Sequence, residues 1–256
     1  MRFSILFLLT IVFGGCSVIS GSGNRSDSRS TRAITNVINS YDRKHSLPAE
    51  PDAPKIRVEE VPVSSITRIP AIATPKRAEV KQFIRFYASD GRSFISDGLQ
   101  RRQKYLPLIE KILAEYNLPL ELANVPFLES RYLNHARSPQ GAAGMWQFMS
   151  PTAKRYGLEV NWLKDERLEV EQATHAAAKL FVELYDMLDN WDLVLAAYNS
   201  GIGTVSRAIR SAGTRDFFEL SQQGYFGKET REYIPKFHAI SEIMRNRRAY
   251  GFVNYR

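Results

Sequence analysis

The chain has 256 residues, 44% of them hydrophobic and 24% charged, with a formal net charge of +8. This is the balance of a soluble globular protein with room for one domain or at most two. The single cysteine excludes an internal disulfide, and the positive charge suits nucleic acid, lipid head groups or an acidic polymer without choosing among them.

The chain opens on a targeting pattern. Met1-Arg2 supplies a short positive start, Phe3 to Phe13 (FSILFLLTIVF) is an apolar run of 11 residues, and Gly14-Gly15-Cys16 ends it. At a rise of ~1.5 Å per residue such a run cannot cross a hydrocarbon core of ~30 Å as a helix, so residues 1–16 read as a secretory signal peptide. The cysteine behind two small residues resembles a bacterial lipobox, although Phe13 stands where leucine is usual. That resemblance implies cleavage before Cys16 and lipidation of its thiol. Ser17 resembles the residue of lipoproteins sent to the outer membrane, which implies the periplasmic face of that membrane. Two or more acyl chains hold a protein firmly where one is marginal. An ordinary signal peptide with an incidental cysteine also fits, and export follows either way.

Residues 17–77 are rich in Ser, Arg, Pro and Gly and lack a sustained 3.6 or 2.0 period, as in GSGNRSDSRSTR. They read as a disordered or extended tether. Within it, positions 56–69 could add a short strand, but prolines argue against a central one.

From position 78 to 256 the character changes to that of one folded domain. Positions 105–118 put Leu108, Ile109, Ile112, Leu113 and Tyr116 on one stripe. Positions 174–188 do the same with Ala177, Leu180, Phe181, Leu184, Tyr185 and Leu188, and positions 233–244 with Phe237, Ile240 and Met244. These are helical spacings. Long alternating runs are missing and Gly or Pro punctuates the intervals, so the expected fold is mostly α, with functional loops between short helices and no internal repeat.

The segment PLELANVPFLESRY carries Leu120, Leu122, Val125, Phe127 and Leu128 ahead of Glu129. Desolvation in such surroundings raises a carboxyl's pKa, as a general acid requires. By itself the spacing does not distinguish Glu129 from an ordinary helix-end carboxylate among 27 acidic residues.

Four motifs do. Glu129-Ser130-Arg131-Tyr132-Leu133-Asn134 is followed by Ser138-Pro139-Gln140-Gly141-Ala142-Ala143-Gly144-Met145-Trp146-Gln147-Phe148-Met149. Ala196-Ala197-Tyr198-Asn199-Ser200-Gly201 comes next, and then Glu229-Thr230-Arg231-Glu232-Tyr233-Ile234-Pro235-Lys236. In order and spacing they resemble the lysozyme-like lytic transglycosylases of the soluble-transglycosylase (SLT) type, in the goose-type lysozyme superfamily, and especially the membrane-bound lytic murein transglycosylase D group. The resemblance covers roughly residues 78–248. Met145 stands where leucine is commoner, a near volume-conserving change. The C-terminal LysM repeats frequent in that group are not found in this chain.

The resemblance implies a lysozyme-like catalytic domain that cleaves the N-acetylmuramic acid to N-acetylglucosamine bond of peptidoglycan. Glu129 would be the single acid/base, and the products would be 1,6-anhydromuramyl ends. It also implies that Ser138, Gln147 and Met149 line the groove, and that Tyr198 contacts the substrate or the acid. Asn199 would fix its loop, while Glu229 and Tyr233 would either touch substrate or serve structure. Trp146 and Phe148 are read as groove wall or core, with one of the two expected in the core. The four histidines, His45, His135, His175 and His238, show no metal-ligand spacing, and phosphate-binding loops are lacking. Neither metal nor cofactor is expected. The expected partners are peptidoglycan glycan strands and, through the lipid, a membrane. Export argues against nucleic acid. A hydrolytic muramidase uses the same fold and acid, and a silent peptidoglycan-binding lipoprotein would need no acid at 129.

Overall fold

A computed structural model describes residues 71–253. The signal segment, Cys16, most of the tether and the possible strand at 56–69 lie outside the described residues. The described chain forms α1 (Ala78–Ala88), α2 (Arg92–Glu115), α3 (Val125–Ser130), α4 (Ser150–Arg155), α5 (Val170–Leu188), α6 (Trp191–Ser200), α7 (Ile202–Ala212), α8 (Phe217–Gln222) and α9 (Lys228–Arg245). Short 3-10 turns occupy Leu120–Asn124 and Glu166–Leu168. Strands are absent among the described residues, where only isolated bridges join Arg137 to Ala143, Ala143 to Phe148 and Val160 to Asp165.

The three apolar stripes fall on α2, α5 and α9, the first ending at Tyr116, the C-cap of α2. In α2 the buried face is Ile95, Leu99, Ile109, Ile112 and Leu113. The helix starts 13 residues before position 105 because its first half, RSFISDGLQRRQ, carries too few apolar residues to show a period. α5 buries Ala173, Ala177, Phe181, Leu184 and Leu188 and stops where Asp189 turns left-handed (φ 44°). α9 begins five residues before position 233, in a polar first turn that follows Gly227.

α6 left no periodic signal for the opposite reason. Leu193, Val194, Leu195, Ala196 and Ala197 are all buried, so the helix is apolar on every side, as befits a central element. The Asn190 side chain opens it by accepting from the Leu193 N–H (3.1 Å), an N-cap worth about 1 kcal/mol. α5, α7 and α9 pack around α6, and α9 also packs on α1 and α3. Buried His238 of α9 donates through Nε2 to Asp192 of α6 (2.6 Å). The Asn124 amide, just before α3, donates to Ser241 Oγ of α9 (3.1 Å). α3, α6 and α9 are thereby fixed to one another, and each carries one of the four motifs or its end.

Core packing also reaches upstream of position 78. Ile72 is buried, Arg77 pairs with Asp216 at 3.3 Å, and Arg245 donates to Thr74 Oγ1 at 3.3 Å.

Candidate active site

Glu129 sits in the last turn of α3, a helix of six residues, too short to be stable without tertiary support. Part of that support is Gly98 in the middle of α2. A Cβ there would lie 2.2 Å from Cε1 of the Phe127 ring. Glycine inside a helix is unfavourable by roughly 0.5–1 kcal/mol relative to alanine, and here it lets Phe127 lie directly on the α2 backbone. Phe127 is fully buried and meets Tyr132 edge to face at 5.2 Å.

Past Glu129 the chain turns sharply. Arg131 and Tyr132 both have positive φ (53° and 60°), a conformation costing of order 1–2 kcal/mol per non-glycine residue. Neighbours hold them there. Arg101 of α2 donates to the Arg131 carbonyl (3.1 Å), and the buried Tyr132 hydroxyl donates to the Ala123 carbonyl. Ser130, also buried, donates to the Met145 carbonyl (2.8 Å) and so ties the end of α3 to the second motif.

Glu129 is half-buried. The hydroxyl of Tyr233, from the second turn of α9, donates to its Oε1 at 2.6 Å. Burial pushes the carboxyl from an ordinary 4.5 up to about 7, the Tyr233 hydrogen bond offsets part of that rise, and the charge of Glu229 adds to it. Desolvation thus exceeds the one stabilising hydrogen bond, and the group holds a proton near neutral pH. The same burial, with the negative charge of Glu129, raises the Tyr233 and Tyr198 hydroxyls well above 10. Both tyrosines are hydrogen-bond donors at any physiological pH.

Tyr198 spends its proton elsewhere. Its hydroxyl donates to the Trp146 carbonyl (2.7 Å), and its ring stacks on Phe181 at 5.0 Å. Asn199 links α6 to the first turn of α9: its amide donates to Glu229 Oε1 (3.3 Å), and Thr230 Oγ1 donates to its Oδ1 (2.7 Å). Glu229 is exposed and is the acidic residue in the first turn of α9, where its charge faces the helix start.

The second motif forms a loop. Ser138 Oγ accepts the Ala142 N–H (3.0 Å), and a hydroxyl that accepts still has its own proton to donate. Gln147 has a left-handed backbone (φ 51°), and its amide donates to the Gly144 (2.7 Å) and Ala136 (3.3 Å) carbonyls. Met149 is 44% exposed. Trp146 and Phe148 are both core residues, and the Trp146 indole donates to Thr174 Oγ1 (3.0 Å).

The structure therefore joins Glu129, Tyr233 and Tyr198 electrostatically, and Asn199 with Glu229 beside them. Ser138, Gln147 and Met149 sit on the Trp146 loop. Two contributors were not among the expected site residues: Arg167, which carries no local mark, and Thr230, which lies in the fourth motif. Buried Arg167 donates to the Gly141 (2.8 Å) and Phe148 (3.0 Å) carbonyls while pairing with Asp165 (2.8 Å), so one guanidinium clamps both ends of the loop. Thr230 fixes Asn199. Among 35 Lys and Arg residues nothing local marks Arg167. A cavity of about 480 Å³ lies between α2 and residues 132–136, lined by Arg101, Lys104, Tyr105 and Tyr132 among others. Glu129, Tyr198 and Tyr233 are not in its lining, so it is separate from the acid. Among the described residues no group of three or more His, Cys, Asp or Glu is arranged to hold a metal.

The proton on Glu129 has a stability consequence. The folded chain binds it more tightly than the unfolded chain does. Its contribution is complete below pH 4.5 and is lost as the pH rises through about 7. The difference corresponds to about 3 kcal/mol. Glutamine cannot ionise and escapes that loss. Glu129→Gln is expected to match the parent at pH 4 and to exceed it by up to about 3 kcal/mol at pH 8.5 in urea unfolding. Equal midpoints at pH 8.5 would mean that the carboxyl is not desolvated.

The transglycosylase SLT domain family matches residues 107–221. Membrane-bound lytic murein transglycosylase D of Escherichia coli (strain K12) is 36% identical over 165 residues, 62% of this chain and 36% of that protein. Membrane-bound lytic murein transglycosylase F of Shewanella frigidimarina is 30% identical over 169 residues, 57% of this chain and 33% of that protein. Among solved structures, the 70 kDa soluble lytic transglycosylase of Escherichia coli has a TM-score of 0.52 at 19% identity, covering 68% of this chain and 32% of that one, a likeness of fold. The chain spans about a third of the length of these two curated relatives. The mostly α, lysozyme-like fold implied by the four motifs is the one observed, and the stretch of this chain from 107 to 221 is similar to the transglycosylase SLT domain family.

Proposed function

We propose that this protein is a peptidoglycan lytic transglycosylase with Glu129 as its single acid/base. The observation that carries the reading is a carboxyl held protonated to about pH 7 while bonded at 2.6 Å to a tyrosine that cannot take its proton. In the first step Glu129 protonates the oxygen linking N-acetylmuramic acid to N-acetylglucosamine. The C1–O bond breaks, and the muramic N-acetyl oxygen closes on C1. In the second step the Glu129 carboxylate takes the proton of the muramic 6-hydroxyl as O6 attacks C1. The acetamide is released, the 1,6-anhydro ring forms, and Glu129 is protonated again. No water is consumed.

Retaining glycosidases place a second carboxylate ~5–5.5 Å from the acid as nucleophile. Here the other carboxylate that Glu129 feels is Glu229, exposed and held by Asn199, which supports the substrate's own N-acetyl group in that role. Tyr233 positions the acid, and Tyr198 orients the Trp146 loop. Ser138, Gln147 and Met149 are assigned to the glycan groove, with a hydroxyl, an amide and a thioether to meet the sugar's polar groups and ring face. Asn199 and Glu229 close its end. Residues 1–16 are assigned as a lipoprotein signal peptide with Cys16 lipidated, residues 17–77 as a tether whose end, from Ile72 on, docks against the folded part, and residues 78–256 as the catalytic domain. The protein then works in the cell envelope, from the periplasmic face of the outer membrane. That the matched relatives are called membrane-bound murein transglycosylases supports this placement.

The test is the mass of muropeptides released from purified sacculi. Anhydromuramyl products are expected. Products heavier by one water (about 18 Da) would make the enzyme a muramidase, and no release would leave a binding protein; either overturns the proposal.

A further inference from the structure

Residues 159–166 form a turn whose tip is the least covered apolar surface among the described residues. Trp162 is 89% exposed and Leu163 is 74% exposed. Single exposed hydrophobics are ordinary, but this pair stands on an unusually well-fastened mount. Val160 bridges to Asp165. Asn161 Oδ1 accepts the N–H groups of Leu163 and Lys164 (both 2.8 Å), and the Asn161 N–H donates to the Lys164 carbonyl (2.8 Å). Below them Lys164 pairs with Glu166 (2.7 Å) and Glu159 (3.6 Å). The tip is thus set in its outward position before any ligand arrives, which lowers the ordering cost of binding.

The mount continues into the candidate groove. Asp165 at its base pairs with Arg137 (3.1 Å) and Arg167 (2.8 Å). Arg167 in turn holds the Gly141 and Phe148 carbonyls, on the loop that carries Gln147 and Met149. Charge narrows the choice of occupant. Glu159, Asp165 and Glu166 are balanced by Lys164, Arg137 and Arg167 through these pairs. A locally neutral, apolar-tipped surface offers no unbalanced cation to an anionic head group. It suits an uncharged sugar ring, whose C–H face lies on an indole while its hydroxyl and acetamido groups stay in water.

We infer that Trp162, with Leu163, is a stacking platform for an N-acetylhexosamine ring of the glycan strand, outside the residues that surround Glu129. The inference rests on the reading of the chain as a glycan-cleaving enzyme and extends its groove along the polymer. Trp162→Ala is expected to slow release from sacculi about five-fold, and Trp162→Phe to restore most of it, the scale of one lost aromatic contact.

Fluorescence of the full chain tests binding directly. Trp146 and Trp191, the other two tryptophans, are 0% and 8% exposed, so acrylamide quenching reports mainly Trp162. An N-acetylglucosamine hexamer added to the Glu129→Gln protein should shift emission to the blue and lower quenching at least about two-fold, and Trp162→Ala should abolish both effects. No protection by the hexamer, with sacculi still cleaved by the parent, overturns the platform and leaves the enzyme reading intact. Protection without any cleavage by the parent supports the platform and sinks the enzyme reading. A response to phosphatidylglycerol vesicles or to protein concentration, in place of the hexamer, also overturns it.

Discussion

Glu129→Gln is expected to lower the release of muropeptides from sacculi at least ~10³-fold, a loss of roughly 4 kcal/mol of barrier stabilisation. The substitution is nearly isosteric, and a glutamine Oε1 still accepts the Tyr233 hydroxyl that lies 2.6 Å from the carboxylate. Shape and neutral hydrogen bonding are therefore kept, and only the transferable proton is removed. Glu229→Gln is the control. That side chain is exposed and bonded to Asn199, and its charge only adds to the rise at Glu129. Less than about a ten-fold loss is expected there, since no proton is drawn from it in either step. The pH dependence follows with the same sign: the first step needs protonated Glu129, so kcat/KM should fall as the pH rises through about 7. A Glu129→Gln protein that still releases muropeptides at the parent rate would place the acid elsewhere.

Gly144→Ala is expected to destabilise the fold by at least about 4 kcal/mol, in the range reserved for severe local conflicts. Two effects add. Gly144 has φ +83°, and a Cβ on it would stand 1.8 Å from the Arg167 carbonyl oxygen. The first costs about 1–2 kcal/mol for any L side chain. The second cannot be relieved by a rotamer change, because the obstacle is backbone. That backbone belongs to the residue whose guanidinium clamps Gly141 and Phe148, so relief would loosen the Gln147 loop as well. Urea unfolding measures the loss, and Gly141→Ala provides the contrast. Gly141 has φ +90° but nothing within 4 Å of a Cβ, so only the conformational part should appear. Equal midpoints for the two variants would mean that the Gly144 contact is not rigid.

Comparing residues shows what was legible in advance. The stripes of α2, α5 and α9 announce helices because each has one wet and one dry side. α6 and the first half of α2 do not, the one apolar all round and the other carrying only Phe94, Ile95 and Leu99 among its large apolar residues. Trp146 and Phe148 could not be told apart as wall or core by sequence, since burial depends on which helices lie over them; α5 covers Trp146 and offers it the Thr174 oxygen. Arg167 carries no local mark, because its importance lies in carbonyls 19 and 26 residues away.

By itself the sequence determined the helical class, the apolar approach to Glu129 and the motifs that supply an acid, two tyrosines, an amide pair and a tight glycine loop. Residue type and spacing suffice for these because helix period and turn geometry are local. Only the tertiary structure decided which tyrosine serves the acid. Tyr198 and Tyr233 are alike as residues, yet one donates to the Trp146 carbonyl and the other to Glu129, because α6 and α9 present them from different directions. The rise of Glu129 to about 7 is likewise a property of the assembled site. Desolvation is the sum of everything packed around a group, and the elements packed here come from positions more than a hundred residues apart.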